Sequence, residues 1–287
     1  MAERSFVEEV KKLRAGAGDI FEGEGILAIT KALLQSGVSY VGGYQGSPIS
    51  HLMDVLNDAQ EILSELGVHF EANGSEATAA AMLSASINYP LRGAVTWKST
   101  VGTNVASDAL SNLASAGVTG GALVIVGEDY GEGSSIMQER SYAFAMKAQM
   151  WLMDPRPNLT SITDMVEKGF ELSEASNTPV FYMMRIRGCH VTGEFVAKDN
   201  VAPAFNNRAP VTPQREPEKI ILPPYVYEQE REKIAQRLPA AIQFIREQKL
   251  NEHFPGRYGS LGIITCGGSY NTVIRALQRQ GLADVYG

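Results

Sequence analysis

Short apolar runs alternate along the chain with longer segments whose apolar residues recur at helical spacing. The runs that predict strands are rich in β-branched and aromatic residues: VSYVGGY, VHFEA, GAVTW, GALVIVGE, NLTSI and TPVFYMMR. The segments that predict helices are ILAITKALLQSG, SHLMDVLNDAQEILSELG, SEATAAAMLSASI, NVASDALSNLASAG and MVEKGFELSEASN. Nearly continuous apolar strands separated by helices are typical of a parallel sheet covered on both faces. Residues 1–200 are therefore predicted to form an α/β domain with this sheet.

The pattern changes after residue 200. Residues 201–225 contain six prolines and are predicted to be extended, because proline lacks an amide donor and fixes φ. A charged helix is predicted at about 226–249, so residues 201–258 form a linker region. From Ser260 a predicted strand, LGIITCG, leads through GSYN into a predicted helix, TVIRALQRQGL. Residues 259–287 are thus expected to begin a second α/β domain without completing it.

Composition is typical of a globular protein. Of the 287 residues, 44% are hydrophobic and 20% charged, which suffices for one large core or two ordinary ones. The net charge of −7 argues against a nucleic-acid or anionic-membrane partner. Cys189 and Cys266 fit no disulfide or metal-ligand spacing, and we assign no metal ligands to this chain. A charged N-terminus and the lack of a long apolar run predict a cytoplasmic protein that does not span a membrane.

Parallel α/β sheets bind ligands at the carboxyl ends of their strands, and four loops lie there: GGYQGSP, EANGSEA, TWKSTVGTN and VGEDYGEGSS. In the first, glycines allow close approach of the backbone, and Ser47-Pro48 is predicted to open a helix as N-cap and first-turn residue. In the second, Ser75 is a natural N-cap and Glu76 falls in the first helical turn. A glutamate there commonly only complements the helix dipole. The alanines behind it favour a closer approach of helix and sheet than a surface cap requires.

Five stretches together resemble the alpha subunit of indolepyruvate:ferredoxin oxidoreductase and its relatives: GEGILAITKALLQSGVSYVGGYQGSP, SEATAAA, KSTVGTNVASDAL, GED…SSIMQER and LGIITCGGSYN. These relatives are thiamine diphosphate-dependent 2-oxoacid:ferredoxin oxidoreductases. The resemblance covers about residues 20–200 and resumes near 258, and the KxxVGxNVAxDxL-like stretch is its most specific part. It implies that residues 1–200 are the pyrimidine-binding domain of the thiamine diphosphate fold. Residues 259–287 would begin a transketolase C-terminal-like domain.

The resemblance implies catalytic roles for Glu76 and Ser47. It aligns SEATAAA with the glutamate motif of the family, so Glu76, rather than the competing Glu71, would hydrogen-bond N1′ of the cofactor's pyrimidine. Ser47 stands where the family has a hydroxyl that contacts the substrate. The residues implied to border the cofactor are Gly46, Ser47, Pro48, Glu76, Thr100, Gly102 and Asn104.

Other polar residues near strand ends have competing interpretations. His51 follows the first loop and would act as an acid or base near the substrate, or lie at the surface beside a helix cap. Arg185, Arg187 and His190 end the last predicted strand of the first domain, where they would hold a carboxylate or form structural pairs. Lys98 lies on the third loop, where lysines mostly serve turns and solvent.

The reaction implied by the resemblance is oxidative decarboxylation of a 2-oxoacid to its acyl-CoA with ferredoxin as acceptor. The pyruvate-specific branch of the family has a substrate-binding arginine where this chain has Glu128 and Asp129, which is consistent with a bulkier aryl 2-oxoacid such as indolepyruvate. The enzyme superfamily holds the diphosphate and its Mg²⁺ through a GDG motif, and neither GDG nor CxxCxxC occurs here.

The chain is therefore expected to supply one wall of a thiamine diphosphate site. A partner domain or chain would carry the GDG motif, Mg²⁺ and [4Fe-4S] clusters, and the further partners are ferredoxin, the 2-oxoacid and coenzyme A. Two other interpretations stay open. One is a non-catalytic structural or regulatory subunit of the pyrimidine type, and the other is half of a thiamine-dependent decarboxylase or synthase that does not use ferredoxin.

Overall fold

The structure is a computed structural model. It describes residues 4–129, 131, 133, 135, 137–138, 140–204, 216–256 and 261–282. Within these residues the strands are β1 (Ile20–Glu24), β2 (Tyr40–Gly43), β3 (His69–Ala72), β4 (Gly93–Lys98), β5 (Ala122–Glu128), β6 (Trp151–Met153), β7 (Val180–Arg185) and β8 (Thr192–Val196).

The helices of the first 200 residues are α1 (Gly25–Gln35), α2 (Ser50–Asp58), α3 (Gln60–Leu66), α4 (Glu76–Met82), α5 (Ala85–Asn88), α6 (Ser99–Ala116), α7 (Ser141–Ala148), α8 (Leu159–Ser176) and α9 (Ile186–His190). Farther along are α10 (Tyr225–Glu232), α11 (Leu238–Glu247) and α12 (Tyr270–Arg279). Short 3-10 turns lie at Glu9–Arg14, Pro217–Lys219 and Gly267–Ser269, and a π-helical turn spans Lys233–Arg237. Among the described helices, none is long and apolar enough to cross a bilayer.

The sheet confirms the predicted parallel α/β architecture. Its six strands lie in the order β3-β2-β4-β5-β7-β6, and all neighbouring pairs are parallel. Strands β1 and β8 pair antiparallel in a separate two-stranded ribbon, which the sequence pattern did not predict. The ribbon brings the two ends of the first 200 residues together.

Helices cover both faces of the sheet because side chains along each strand alternate between two buried clusters. In β4, for example, Ala94 belongs to the cluster that also contains buried residues of α1, α2 and α8. Val95 and Trp97 belong to the opposite cluster, with buried residues of α4, α6 and α7. Both faces of the central strands are therefore dry, as their near-continuous apolar sequence predicts.

One predicted strand is wrong. The stretch NLTSI begins α8, because Asn158 caps that helix through Oδ1, which accepts a hydrogen bond from the Ser161 amide at 2.9 Å. The strand position in the sheet belongs instead to the three-residue β6. The apolar spacing of Leu159 and Ile162 fits the helix that continues to Ser176.

The region after residue 200 follows the prediction in part. The charged helix is present as α10, the π-helical turn and α11, and α12 confirms the last predicted helix. The described residues 261–266 form no strand, since a strand requires a neighbour with which to exchange backbone hydrogen bonds. Ser260, residues 205–215 of the proline-rich stretch and the final ADVYG lie outside the described residues. The proposed domain boundaries stay predictions.

Two buried basic side chains, Arg237 and Lys31, form hydrogen bonds with residues that are distant in the sequence. Arg237 donates to the carbonyls of Ala114 and Ser115, both at 3.1 Å, and so caps the C-terminus of α6 from the linker region. Lys31, in the middle of α1, donates to the Ala15 carbonyl at 2.5 Å and to Asn200 Oδ1 at 2.6 Å. Burial lowers the pKa of Lys31 to about 8.

Candidate functional site

The order of the strands creates a crevice at the carboxyl ends of β2 and β4. These strands are neighbours, but the chain leaves β2 toward β3 on one side and β4 toward β5 on the other. Ligands bind at such a reversal in open α/β sheets. The loop after β2 meets the last residue of β4 here, since a Cβ on Gly46 would come 2.5 Å from Lys98 Cβ. Glycine at position 46 is required for this close approach.

The loop after β2 presents Ser47 at the surface and buries Pro48, and a cis peptide bond joins the two. The predicted role of Ser47 as an N-cap is wrong, because α2 begins only at Ser50 and has no side-chain cap. A tight turn occupies the intervening residues, and the Ile49 amide donates to the Gly46 carbonyl at 3.0 Å. The Ser47 hydroxyl is therefore not needed to cap the helix.

Glu76 is the first residue of α4, as predicted. Ser75 caps the helix and exchanges capping-box hydrogen bonds with Thr78, which fixes the direction in which the helix leaves β3. Glu76 is only 7% exposed, although a glutamate that merely complements a helix dipole lies in solvent. Within the described part of the chain, neither a hydrogen bond nor an ion pair reaches its carboxylate. The carboxyl group of Glu76 is therefore open to a hydrogen bond from a ligand or a second surface.

Helix α6 and the end of β4 pack beside Glu76. A Cβ on Gly102 would lie 2.9 Å from Glu76 Cγ and 2.5 Å from Trp97 Cδ1, so α6 packs closely against the glutamate stem. The indole of Trp97 is fully buried and donates from Nε1 to Thr103 Oγ1 at 3.1 Å. Trp97 was missed in the sequence, although its position at the end of β4 beside Lys98 marked it as part of this edge.

Glu71, the competing candidate, lies in a different environment. Its side chain is 51% exposed on the edge strand β3, and its carboxylate is 3.5 Å from His69 Nε2. Glu71 thus has both solvent and a partner, and it differs in both respects from Glu76. The geometry favours Glu76 as the carboxyl group of a dry site.

The predicted loop TWKSTVGTN is wrong, because β4 ends at Lys98 and α6 begins directly at Ser99, so Thr100, Gly102 and Asn104 lie on the helix. The three residues occupy different environments there. Gly102 is buried against Glu76, and the structure brings these two predicted residues together. Thr100 is half-buried and donates from Oγ1 to the Gln138 carbonyl at 3.1 Å, which ties the first turn of α6 to the loop after β5. Asn104 is exposed on the same helix. Roles for all three toward a cofactor stay predictions.

A buried ion pair connects the loops of the crevice. Lys98 Nζ donates to Asp129 Oδ1 at 2.8 Å and to the Ser47 carbonyl at 2.7 Å. The Asp129 side chain is completely buried, and the Lys98 side chain is 17% exposed. Glu128 Oε1 accepts from the Ser141 amide at 3.0 Å, at the start of α7. Lys98, Glu128 and Asp129 were each noticed in the sequence, but the contacts among their loops were not predicted.

The remaining candidates form structural pairs. His51 Nδ1 lies 3.0 Å from Asp54 Oδ2, and His190 Nδ1 lies 2.9 Å from Glu24 Oε1. Arg185 donates to Asp154 Oδ2 at 3.0 Å, and burial raises the pKa of Asp154 despite this pairing.

Arg187 donates from NH1 to Thr272 Oγ1 at 3.2 Å, at the start of α12. The turn before α12 also approaches this edge of the sheet, because the Gly268 amide donates to Asp154 Oδ1 at 3.1 Å. The arginines therefore contact the segment that follows the linker rather than the crevice at Gly46.

Large apolar side chains are exposed close to the crevice. Val101 and Val105 on α6 are 45% and 49% exposed, and Tyr142 and Met146 on α7 are 58% and 74% exposed. Each pair is separated by four residues and so lies on one side of its helix. Exposed apolar residues grouped in this way commonly mark a binding surface.

Comparison with known proteins gives a consistent assignment. The chain is 30% identical over 271 residues to indolepyruvate oxidoreductase subunit IorA of Methanothermobacter marburgensis and 25% identical over 256 residues to that of Archaeoglobus fulgidus. The alignments cover 94% and 89% of this chain but 42% and 40% of the relatives. The chain thus spans less than half the length of these curated relatives. No family model matches it.

A solved structure shares the fold. It is a 2-oxoglutarate:ferredoxin oxidoreductase from Magnetococcus marinus with 2-oxoglutarate, coenzyme A and succinyl-CoA bound. The TM-score is 0.66 at 16% identity, over 92% of this chain and 52% of that one. The chain therefore has the α/β fold found in a 2-oxoacid:ferredoxin oxidoreductase, as predicted for the thiamine diphosphate-binding fold. Along 94% of its length the chain is similar in sequence to indolepyruvate oxidoreductase subunit IorA, which confirms the resemblance seen in its sequence.

Proposed function

We propose that this chain supplies the pyrimidine-side wall of a thiamine diphosphate site in a 2-oxoacid:ferredoxin oxidoreductase. The observation that carries the proposal is Glu76, a buried carboxyl group at a strand-to-helix junction to which the described residues offer no partner. Sequence similarity to the IorA subunits supports the same activity. The chain spans 42% of its first relative, and we place the activity in the complete protein together with its partner.

The residues around Glu76 fit a flat aromatic ring that carries a hydrogen-bonding nitrogen. Gly102 has no side chain, and the Glu76 stem and the Trp97 indole both lie within 3 Å of where its Cβ would be. A protonated carboxyl group at this place can donate a hydrogen bond. The pyrimidine N1′ of thiamine diphosphate accepts one.

Four residues of this chain would act on the cofactor and the substrate. Glu76 holds a proton at N1′, and Trp97 and Gly102 exclude water from that contact. Ser47 binds the 2-oxoacid through its hydroxyl, which does not cap α2. When bound, thiamine diphosphate supplies the carbon nucleophile and electron sink that let a 2-oxoacid lose carbon dioxide.

Residues at the rim of the crevice would border the same cofactor. They are Gly46, Pro48, Thr100 and Asn104. The second wall comes from a partner domain that carries the GDG motif, Mg²⁺ and the iron–sulfur clusters. We place them there because this chain contains neither a GDG nor a CxxCxxC motif. The exposed Val101, Val105, Tyr142 and Met146 are the surface on which we place that partner. Ferredoxin and coenzyme A would act on the complete enzyme.

The substrate we propose is an aryl 2-oxoacid such as indolepyruvate. Glu128 and Asp129 stand where the pyruvate-specific branch of the family has an arginine, and both carboxyl groups are engaged within the chain. The name of the relatives supports an indole side chain, while the solved relative in fold was studied with 2-oxoglutarate. Substrate preference therefore has to be measured against both.

The test is an assay of the full-length protein with its GDG-bearing partner. Ferredoxin reduction that requires both a 2-oxoacid and coenzyme A supports the proposal, and a higher kcat/KM for indolepyruvate than for pyruvate or 2-oxoglutarate supports the substrate. Decarboxylation without ferredoxin reduction would indicate a decarboxylase or synthase half. A complex that turns over none of the 2-oxoacids would indicate a structural or regulatory subunit.

A further inference from the structure

We propose that Lys98 is a positioning residue that fixes the Ser47 loop, residues 44–49, through its ion pair with Asp129. The expected effect on KM rests on the proposed function, and the expected effect on the order of the loop rests on geometry alone. Lys98 ends β4, the Ser47 loop follows β2, and Asp129 follows β5. One ammonium group thus joins the ends of three consecutive strands of the sheet.

Two contacts of Lys98 bear on the Ser47 loop, one with a backbone carbonyl and one with a carboxylate. Its Nζ donates to the Ser47 carbonyl at 2.7 Å and to Asp129 Oδ1 at 2.8 Å. The carbonyl belongs to the residue whose hydroxyl is proposed to bind substrate. A hydrogen bond to that carbonyl orients the peptide plane and limits the directions in which the Ser47 side chain points.

Asp129 is held from its other sides, so the pair is anchored. Its carboxylate also accepts from the Ser135 hydroxyl, and the Asp129 carbonyl accepts from the Gly133 amide at 2.8 Å. The side chain has no exposure to solvent. A buried carboxylate that lost its cation would be strongly unfavourable, which makes the position of Lys98 well determined.

The backbone packing leaves the Ser47 loop little freedom while this pair is intact. A Cβ on Gly46 would come 2.5 Å from Lys98 Cβ, and a Cβ on Gly127 would come 3.0 Å from Pro48 Cδ. The loop is therefore held between the stem of Lys98 and the end of β5. Within the loop, the Tyr44 amide donates to the Thr96 carbonyl at 3.0 Å, and this amide reports on the loop's order.

The experiment compares Lys98→Met, Lys98→Arg and Asp129→Asn in the full-length protein by hydrogen exchange of residues 44–49. We expect exchange at the Tyr44 and Ile49 amides to be about tenfold faster or more in Lys98→Met and Asp129→Asn, and closer to wild type in Lys98→Arg. Lys168→Met is the matched control, since Lys168 pairs with Glu171 on α8 at 2.7 Å and should leave the loop unchanged.

The kinetic readout separates positioning from general stability. In the complex with the partner, KM for the 2-oxoacid should rise by about fivefold or more in Lys98→Met, while kcat changes by less than about twofold and Lys98→Arg recovers part of the loss. Loop exchange within about twofold of wild type in both Lys98→Met and Asp129→Asn would overturn the inference. A wild-type complex without 2-oxoacid turnover would overturn the proposed function instead and leave the exchange result to decide the role of Lys98.

Discussion

Gly102 lies directly against Glu76: a Cβ at position 102 would come 2.9 Å from Glu76 Cγ and 2.5 Å from Trp97 Cδ1. Both distances are shorter than a methyl group tolerates, so Gly102→Ala must displace the glutamate or the indole. Overpacking costs about 1–3 kcal/mol, offset by about 1 kcal/mol of helix propensity. We expect Gly102→Ala to lower the free energy of unfolding by about 1 kcal/mol and turnover by about tenfold, because a misplaced acid is a poor catalyst.

Urea unfolding and a 2-oxoacid assay measure the two effects of Gly102→Ala. Gly262→Ala is the control, since nothing lies within 4 Å of a Cβ there. Full activity in Gly102→Ala would mean that the carboxyl group of Glu76 has no fixed role.

Ser47→Ala tests the substrate contact. Its hydroxyl does not cap α2, so removing it should leave folding and bound thiamine diphosphate unchanged while KM for the 2-oxoacid rises by about fivefold. Steady-state kinetics and the cofactor content of the purified complex provide the measurement. Ser111→Ala, on the exposed side of α6, serves as control, and loss of cofactor from Ser47→Ala would show that the loop binds the cofactor instead.

Arg237 is predicted to anchor the linker region. Its side chain is 4% exposed and reaches the last carbonyls of α6. Arg237→Met would leave those carbonyls and Glu232 without their donor, so we expect the free energy of unfolding to fall by about 2–4 kcal/mol. Arg231→Met, at a side chain that is 64% exposed, should change it by less than about 0.5 kcal/mol. Equal losses of unfolding free energy for Arg237→Met and Arg231→Met in denaturant titrations would contradict an anchoring role for Arg237.

Lys31 should make stability depend on alkaline pH. Its pKa is about 8 in the folded protein and 10.5 ordinarily, so between these values the unfolded chain binds the proton and the folded chain does not. The contribution of Lys31 to stability therefore increases as pH rises from about 8 to about 10.5. Cys189 acts in the opposite direction, because burial raises the pKa of its thiol.

The difference between wild type and Lys31→Met isolates the effect of Lys31, since Cys189 is the same in both proteins. Denaturant unfolding at pH 8 and pH 10 should show wild type gaining stability relative to the variant. A difference that stays constant across this range would show that Lys31 is ionised in the folded protein throughout.

The strands of the sheet were predictable because both of their faces are buried. GAVTW and GALVIVGE carry apolar residues at consecutive positions, which is typical of parallel strands covered on both faces. The stretch NLTSI was wrongly predicted to be a strand because its composition is typical of one. The Asn158 cap and the spacing of Leu159 and Ile162 instead favour a helix. The three residues of β6 are too few to show any period.

The candidate site was predictable where a backbone requirement left a residue signature. Positions 46 and 102 require glycine because another chain segment lies where a Cβ would be. Ser75 with Glu76 marks a helix start. The link from Lys98 to Asp129 could not be predicted, because it depends on the order of the strands and not on spacing along the chain. The same holds for the antiparallel ribbon of β1 and β8.

Glu76→Gln in the assembled enzyme tests the central claim most directly. Glutamine preserves the shape of the side chain but cannot hold the exchangeable proton of a carboxyl group, so turnover should fall by a factor of about 100 or more with the free energy of unfolding nearly unchanged. Glu71→Gln is the matched control and should remain active, because Glu71 is 51% exposed. The account predicts an inactive Glu76→Gln beside an active Glu71→Gln, and the reverse pair of activities would contradict it.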